Sequence, residues 1–231
     1  MKFLKVFSLA LCLGIVLAGC NNLQKGAGIG AAGGAVLGGI IGNIAGNTIV
    51  GAAVGGAVGA GTGAIIGHKM DKAKKEAEQV QNAQVETVTD NNGLEAVKVT
   101  FDSGILFATG KSVLSATAKN SLAQFATVLK NNADCDVAIQ GYTDNQGWKN
   151  STPEQSQQKN LSLSQDRATA VSQYLLSLAV PATQIKSVQG FGEASPVADN
   201  STAAGQAQNR RVEVYMYASQ KMIQEAQSQA N

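Results

Sequence analysis

Arginine is scarce in this chain: three residues, Arg167, Arg210 and Arg211, stand against fifteen lysines. Lysine suffices for surface charge. Confining arginine to two short stretches points to a need there for its planar fork, which clamps a carboxylate through two parallel hydrogen bonds. Histidine occurs once, at His68, and cysteine three times, at Cys12, Cys20 and Cys135. So few ligating side chains exclude a cysteine–histidine metal centre and a disulfide framework. They also leave no histidine beside a nucleophile, and Asp166, adjoining Arg167 on a helix, should point away from Asp144 and not pair with it for sugar cleavage. No catalytic set, cofactor or metal is implied. A basic excess is missing as well. Lys2 and Lys5 fall in the leader, so 16 basic and 16 acidic side chains remain of the 18 and 16 in the whole sequence. A neutral chain lacks the clustered footprint of nucleic-acid binding.

What is present begins with an export signal. Lys2 and Lys5 precede the apolar run Val6–Leu17, the arrangement of a secretory leader. It ends in Leu17-Ala18-Gly19-Cys20, which resembles a bacterial lipobox. Residues 1–19 are therefore expected to be a lipoprotein signal peptide, with Cys20 the lipidated first residue of a short anchored stretch, 20–25. Several acyl chains anchor firmly where one would not. By resemblance to sorting in Gram-negative bacteria, Asn21 favours the outer membrane. Cys135 is then the sole retained thiol, expected as a small buried apolar residue at the head of a strand.

From Gly26 to Gly67 there is no charge, and sixteen of forty-two residues are glycine. The glycines fall on two four-residue ladders, 26 to 46 and 51 to 67, with a slip at Asn47-Thr48-Ile49. In lipid, backbone must satisfy itself, so helix is favoured despite glycine. A four-residue spacing lines the glycines on one stripe where another helix can approach closely. The reading is a glycine-zipper helical hairpin over 26–67, inserting in the membrane or self-associating; a flexible spacer is the plainer alternative. Gly28-Ile-Gly30-Ala-Ala-Gly33 also fits the dinucleotide-binding fingerprint, but neither the preceding strand nor the following acid exists. Residues 68–93, rich in lysine, glutamate and glutamine, read as a polar helical linker.

Periodicity then places a strand over Ala96–Phe101 and a helix capped by Ser115 with Ala118, Leu122, Phe125, Ala126 and Leu129 inward. A strand over Asp136–Gly141 delivers Asp144 just past its end. Thr152, Pro153 and Gln155 announce one helix start, and Ser162 with Gln165 a second. The second helix turns Val171, Tyr174, Leu175 and Leu178 inward and puts Arg167 near its first turns. Strands follow at Ile185–Gln189 and Arg211–Tyr217, and residues 219–231 read as a polar tail or a frayed helix.

Four ordered motifs carry a resemblance. They are Gly141-Tyr-Thr-Asp144; Asn160-x-x-Leu-Ser-x-x-Arg-Ala168; Gly190-x-Gly-Glu-x-x-Pro-Val197; and Asn209-Arg-Arg-Val-Glu213. Together they resemble the OmpA-like peptidoglycan-binding domain over residues 94–218. The resemblance implies an α/β sandwich of βαβαββ order that binds diaminopimelate in the stem peptides of the cell wall. Asp144 would hold the ligand's ammonium and Arg167 its carboxylate, with Thr143, Asn160 and Arg211 around the pocket. An internal Asp144–Arg167 salt bridge is the bland alternative on the bare pattern. The segment 145–159 is longer than the usual family loop. Its Trp148 either stacks on sugar or peptide or caps the core edge.

The leading expectation is an outer-membrane lipoprotein facing the periplasm, partnered by peptidoglycan and by the membrane through its lipid. An oligomeric pore built from the zipper is the alternative. Channels need an ionisable residue in the membrane, and 26–67 has none.

Overall fold

The computed structural model describes residues 60–89 and 94–230. The signal peptide, Cys20 and the zipper hairpin before Ala60 lie outside the described residues. The elements, in chain order, are α1 (Ala60–Ala77), β1 (Ala83–Thr89), β2 (Glu95–Asp102), α2 (Ser103–Leu106), α3 (Ala116–Asn131), β3 (Cys135–Gly141), α4 (Pro153–Ser177), β4 (Ile185–Gly190), α5 (Ala203–Asn209), β5 (Arg211–Ala218) and α6 (Gln220–Ala230). The five strands form one sheet in the order β1-β2-β5-β3-β4, with only β3 and β4 parallel. Setting β1 aside, β2 to β5 with α3 and α4 keep the βαβαββ order expected.

Alternation along the strands decides which side is the core. Val97, Val99 and Phe101 of β2, Val137 and Ile139 of β3, and Val212, Val214 and Met216 of β5 point to one face. Onto that face α3 brings Leu122, Phe125 and Leu129, and α4 brings Ala168, Val171 and Leu175. Ser115 caps α3 as expected, its hydroxyl accepting from the Ala118 N–H at 2.9 Å. Cys135 opens β3 fully buried, and that burial pushes its thiol up to about 12. The opposite face carries a smaller cluster of Ala96, Ala138, Tyr215 and Tyr217.

Three sequence expectations give way here. The stretch 68–93 is not a helical linker throughout. Helix α1 runs only to Ala77, and residues 83–89 form an edge strand paired antiparallel to β2. Edge strands carry charge to discourage further pairing. Glu86 faces Lys98 directly across the ladder and is ion-paired with it, so the strand's polarity disguised it. Nor is α1 a solvated spacer. Ile66, Met70, Ala73 and Ala77 recur at helical spacing and are all buried. Lys69 further pins α1 through a 2.7 Å ion pair to Asp134. Thirdly, the tail folds back as α6, whose Met222, Ile223 and Ala226 are buried. Helices α1 and α6 meet so closely that a methyl added at Gly61 would lie 3.1 Å from the Ala230 Cβ. Met70→Ala should therefore cost the whole domain about 2–5 kcal/mol, read as a lower urea midpoint. An unchanged midpoint would show that α1 is a dispensable spacer.

The helix start at Ser162 is also not realised. Helix α4 is continuous for 25 residues from its cap at Thr152, where hydroxyl and Gln155 form a reciprocal capping box. Nothing between Gln155 and Ser162 breaks a helix. The long loop is thus partly the first two turns of α4, and Arg167 sits well inside the helix, away from its positive end.

Candidate functional site

The cleft opens where β2 and β3 end and β5 begins, an edge where α/β sheets commonly bind ligands. Helix α4 supplies its wall, and the reason is a single stripe. Ser156, Asn160, Ser164, Arg167, Val171 and Leu175 are all buried on α4, polar toward its N-terminal half and apolar beyond. Where the stripe crosses the sheet, the helix rests on backbone. A Cβ at Gly141 would stand 2.2 Å from the Ser164 carbonyl oxygen, and one at Gly190 2.2 Å from the Gln165 nitrogen. Two hydrogen bonds lock the contact. The Gly192 N–H donates to Ser164 Oγ at 2.8 Å, and the Gly190 N–H to Gln165 Oε1 at 2.8 Å. The register of Arg167 against Asp144 is set by this contact.

The cleft encloses about 540 Å³, within the usual range of small-molecule sites. Asp144 lies in it, 6% exposed. Its carboxylate accepts the Gln146 N–H at 3.2 Å and forms a 2.5 Å ion pair with Arg210. Arg167, 3% exposed, lies in the same cleft. Its Nε donates to the Lys111 carbonyl at 3.0 Å, and its guanidinium stands 5.2 Å from the Phe107 ring centre. Burial lowers the Arg167 pKa, the Arg210 charge lowers it further, and Asp144 opposes both. The ion-pair partner of Asp144 is therefore Arg210 and not Arg167, which forms no ion pair among the described residues although Asp144 is near enough to raise its pKa. Two guanidinium groups against one carboxylate give the cleft a net positive charge suited to a carboxylate-bearing ligand.

Two hydroxyls add to this. Ser103 Oγ and Thr143 Oγ1 are buried without a hydrogen-bond partner, two of four such side-chain atoms among the described residues, and both residues line the cleft. Buried polar atoms left unpaired are costly and uncommon, and here two of them belong to residues that border one cleft.

Asn160 lines the cleft mainly as a brace. Its Nδ2 donates to the Gln146 carbonyl at 3.2 Å and to Glu193 at 3.3 Å, while its Oδ1 accepts the Trp148 indole N–H at 2.7 Å. Asp144, Arg167, Thr143 and Asn160 are thus brought together. Arg211 is not. Its Nε donates to Glu213 at 2.7 Å on the sheet's opposite face, and its guanidinium lies 3.8 Å from the Tyr142 ring centre. The arginine in the cleft is its neighbour Arg210, which the motif reading passed over. Strand parity could have found it: Arg211 alternates with Val212, Val214 and Met216 and so must leave the core side. Ser103 and Phe107 carried no sequence signal, since only the fold brings α2 beside Asp144.

In sequence and in fold the chain is similar to known proteins. Residues 106–210 match the OmpA family, and residues 1–71 match the YMGG-like Gly-zipper family. The Escherichia coli (strain K12) protein named "Probable lipoprotein YiaD" is 33% identical over 149 residues, 64% of this chain and 63% of that one. The "Peptidoglycan-binding protein ArfA" of Mycobacterium tuberculosis is 41% identical over 93 residues, 40% of this chain and 26% of that one. This chain thus spans less than two thirds of either relative. Among solved structures, a MotB-like protein from Desulfovibrio vulgaris superposes with a TM-score of 0.57 at 22% identity, over 68% of this chain and 96% of that one, a likeness of fold. Over residues 106–210, this chain is similar to the OmpA family.

Proposed function

We propose that the chain is a lipid-anchored outer-membrane protein that binds peptidoglycan non-covalently and so tethers envelope to wall. The cleft takes the side-chain end of diaminopimelate, which carries one ammonium and one carboxylate. Asp144 receives the ammonium, sharing its second oxygen with Arg210, and the open fork of Arg167 receives the carboxylate. The observation that carries this reading is the convergence of buried Asp144 and Arg167 in one cleft beside two partnerless hydroxyls. The name of the mycobacterial relative points the same way. The leader ending in Cys20 and followed by Asn21 supports the outer-membrane anchor.

Wall chemistry supplies the test. Lysine, which replaces diaminopimelate in some walls, lacks the second carboxylate. The full chain in detergent should sediment with diaminopimelate-type sacculi, be released by free meso-diaminopimelate, and stay in the supernatant with lysine-type sacculi. Equal retention by both wall types would overturn the assignment.

A further inference from the structure

The segment that departs from the family pattern, residues 145–159, carries the chain's one tryptophan, and the structure sets that residue in the cleft. Trp148 is half-buried and tied down from α4. Its backbone N–H donates to Ser156 Oγ at 3.0 Å and its indole N–H to Asn160 Oδ1 at 2.7 Å. The Lys159 ammonium lies 5.9 Å from the ring centre. The far edge of the indole approaches the loop after α2, where a methyl added at Gly110 would stand 3.8 Å from Cη2. Gly110 has a φ of +66°, so a side chain there would be strained as well as close to the ring.

An indole held this way has its polar edge satisfied within the protein while its ring lines the cleft. Its rotamer freedom is already lost, so packing a ligand against it costs little further ordering. Depth then gives a direction. Asp144 and Arg167 are almost wholly buried, whereas Trp148 is at the half-exposed margin. A ligand entering by its charged end leaves the adjoining peptide beside the indole.

We propose that Trp148 is a specificity-determining residue that packs on the peptide flanking the diamino acid, so that the cleft prefers a stem peptide to the free amino acid. This rests on the diaminopimelate reading above. The single tryptophan reports directly: in the full chain, a tetrapeptide stem should shift its fluorescence to the blue more than free meso-diaminopimelate does. Calorimetric titration should give the peptide an affinity about three- to tenfold higher, the scale of one aromatic packing contact. In Trp148→Leu the ratio of the two affinities should fall toward one. Trp148→Phe, which keeps a ring but loses the N–H to Asn160, should retain most of it. A wild-type ratio of one, or a ratio unchanged in Trp148→Leu, would overturn the proposal. So would an equal loss in Trp148→Phe, because Trp148 would then act only by orienting Asn160. Failure of both ligands to bind wild type would sink the diaminopimelate reading itself.

Discussion

Arg167→Ala should release the chain from diaminopimelate-type sacculi, with an affinity loss of roughly 30-fold or more, the scale of truncating one member of a buried charge contact. Asp144→Asn should do the same by a different route. It keeps the shape of the side chain but withdraws the charge that the ligand ammonium and Arg210 both need. The asparagine is preferable to alanine because it keeps the side-chain volume in the cleft shared by buried Arg167 and half-buried Arg210. Arg167→Lys is the sharper control. It preserves the charge, but a point ammonium cannot reproduce a two-pronged clamp, so binding should fall nearly as far. Wild-type sedimentation by a folded Arg167→Lys chain would mean that the fork is not what the wall reads. Retention by folded Arg167→Ala would remove the guanidinium from the binding account altogether.

Arg211→Met should behave in the opposite way, damaging the fold and sparing the cleft. Arg211 and Glu213 are 4% and 3% exposed and joined at 2.7 Å. Tyr215 donates to the other Glu213 oxygen at 2.6 Å. Removing the guanidinium leaves the buried Glu213 carboxylate to the Tyr215 hydroxyl and a longer 3.9 Å contact with Lys98, so the loss should be about 3 kcal/mol or less. The double variant Arg211→Met with Glu213→Leu should recover much of that stability, since a buried ion pair is often replaceable by apolar volume. Chemical unfolding of the single and double variants measures both. A double variant no more stable than the single would show that the pair contributes through more than the stranded charge. A folded Arg211→Met chain that no longer binds sacculi would place Arg211 back among the ligand contacts.

The contrast between these neighbouring arginines also shows what could be read without coordinates. Periodicity gave the central elements well, because Val97, Val99 and Phe101 or Leu122, Phe125 and Leu129 must share a face to form a core. Asp144 and Arg167 could be named because they lie within short motifs whose spacing is local. The choice between Arg210 and Arg211 could have followed from the alternation of β5, but motif matching overrode it. Other features were beyond local reading. Strand β1 looks polar because it is an edge, and α6 looks polar because only a narrow stripe of it meets α1. The capping signal at Ser162 failed because such signals matter only where a helix is free to begin, and α4 was already under way. Ser103 reaches the cleft through the backbone, its N–H donating to the Arg210 carbonyl at 2.9 Å. No side-chain pattern encodes that bond.

The docking of α1 has a mechanical consequence. On the proposed function the chain would be pulled between its N-terminus and its cleft, and tension entering at Ala60 would meet α1 first. Because Ile66, Met70 and Ala73 are seated in the core and α6 lies alongside, that tension spreads across a broad packed surface in shear. The sheet is not unzipped one ladder bond at a time. On the proposed function, load passing from α1 to the cleft would cross one packed body.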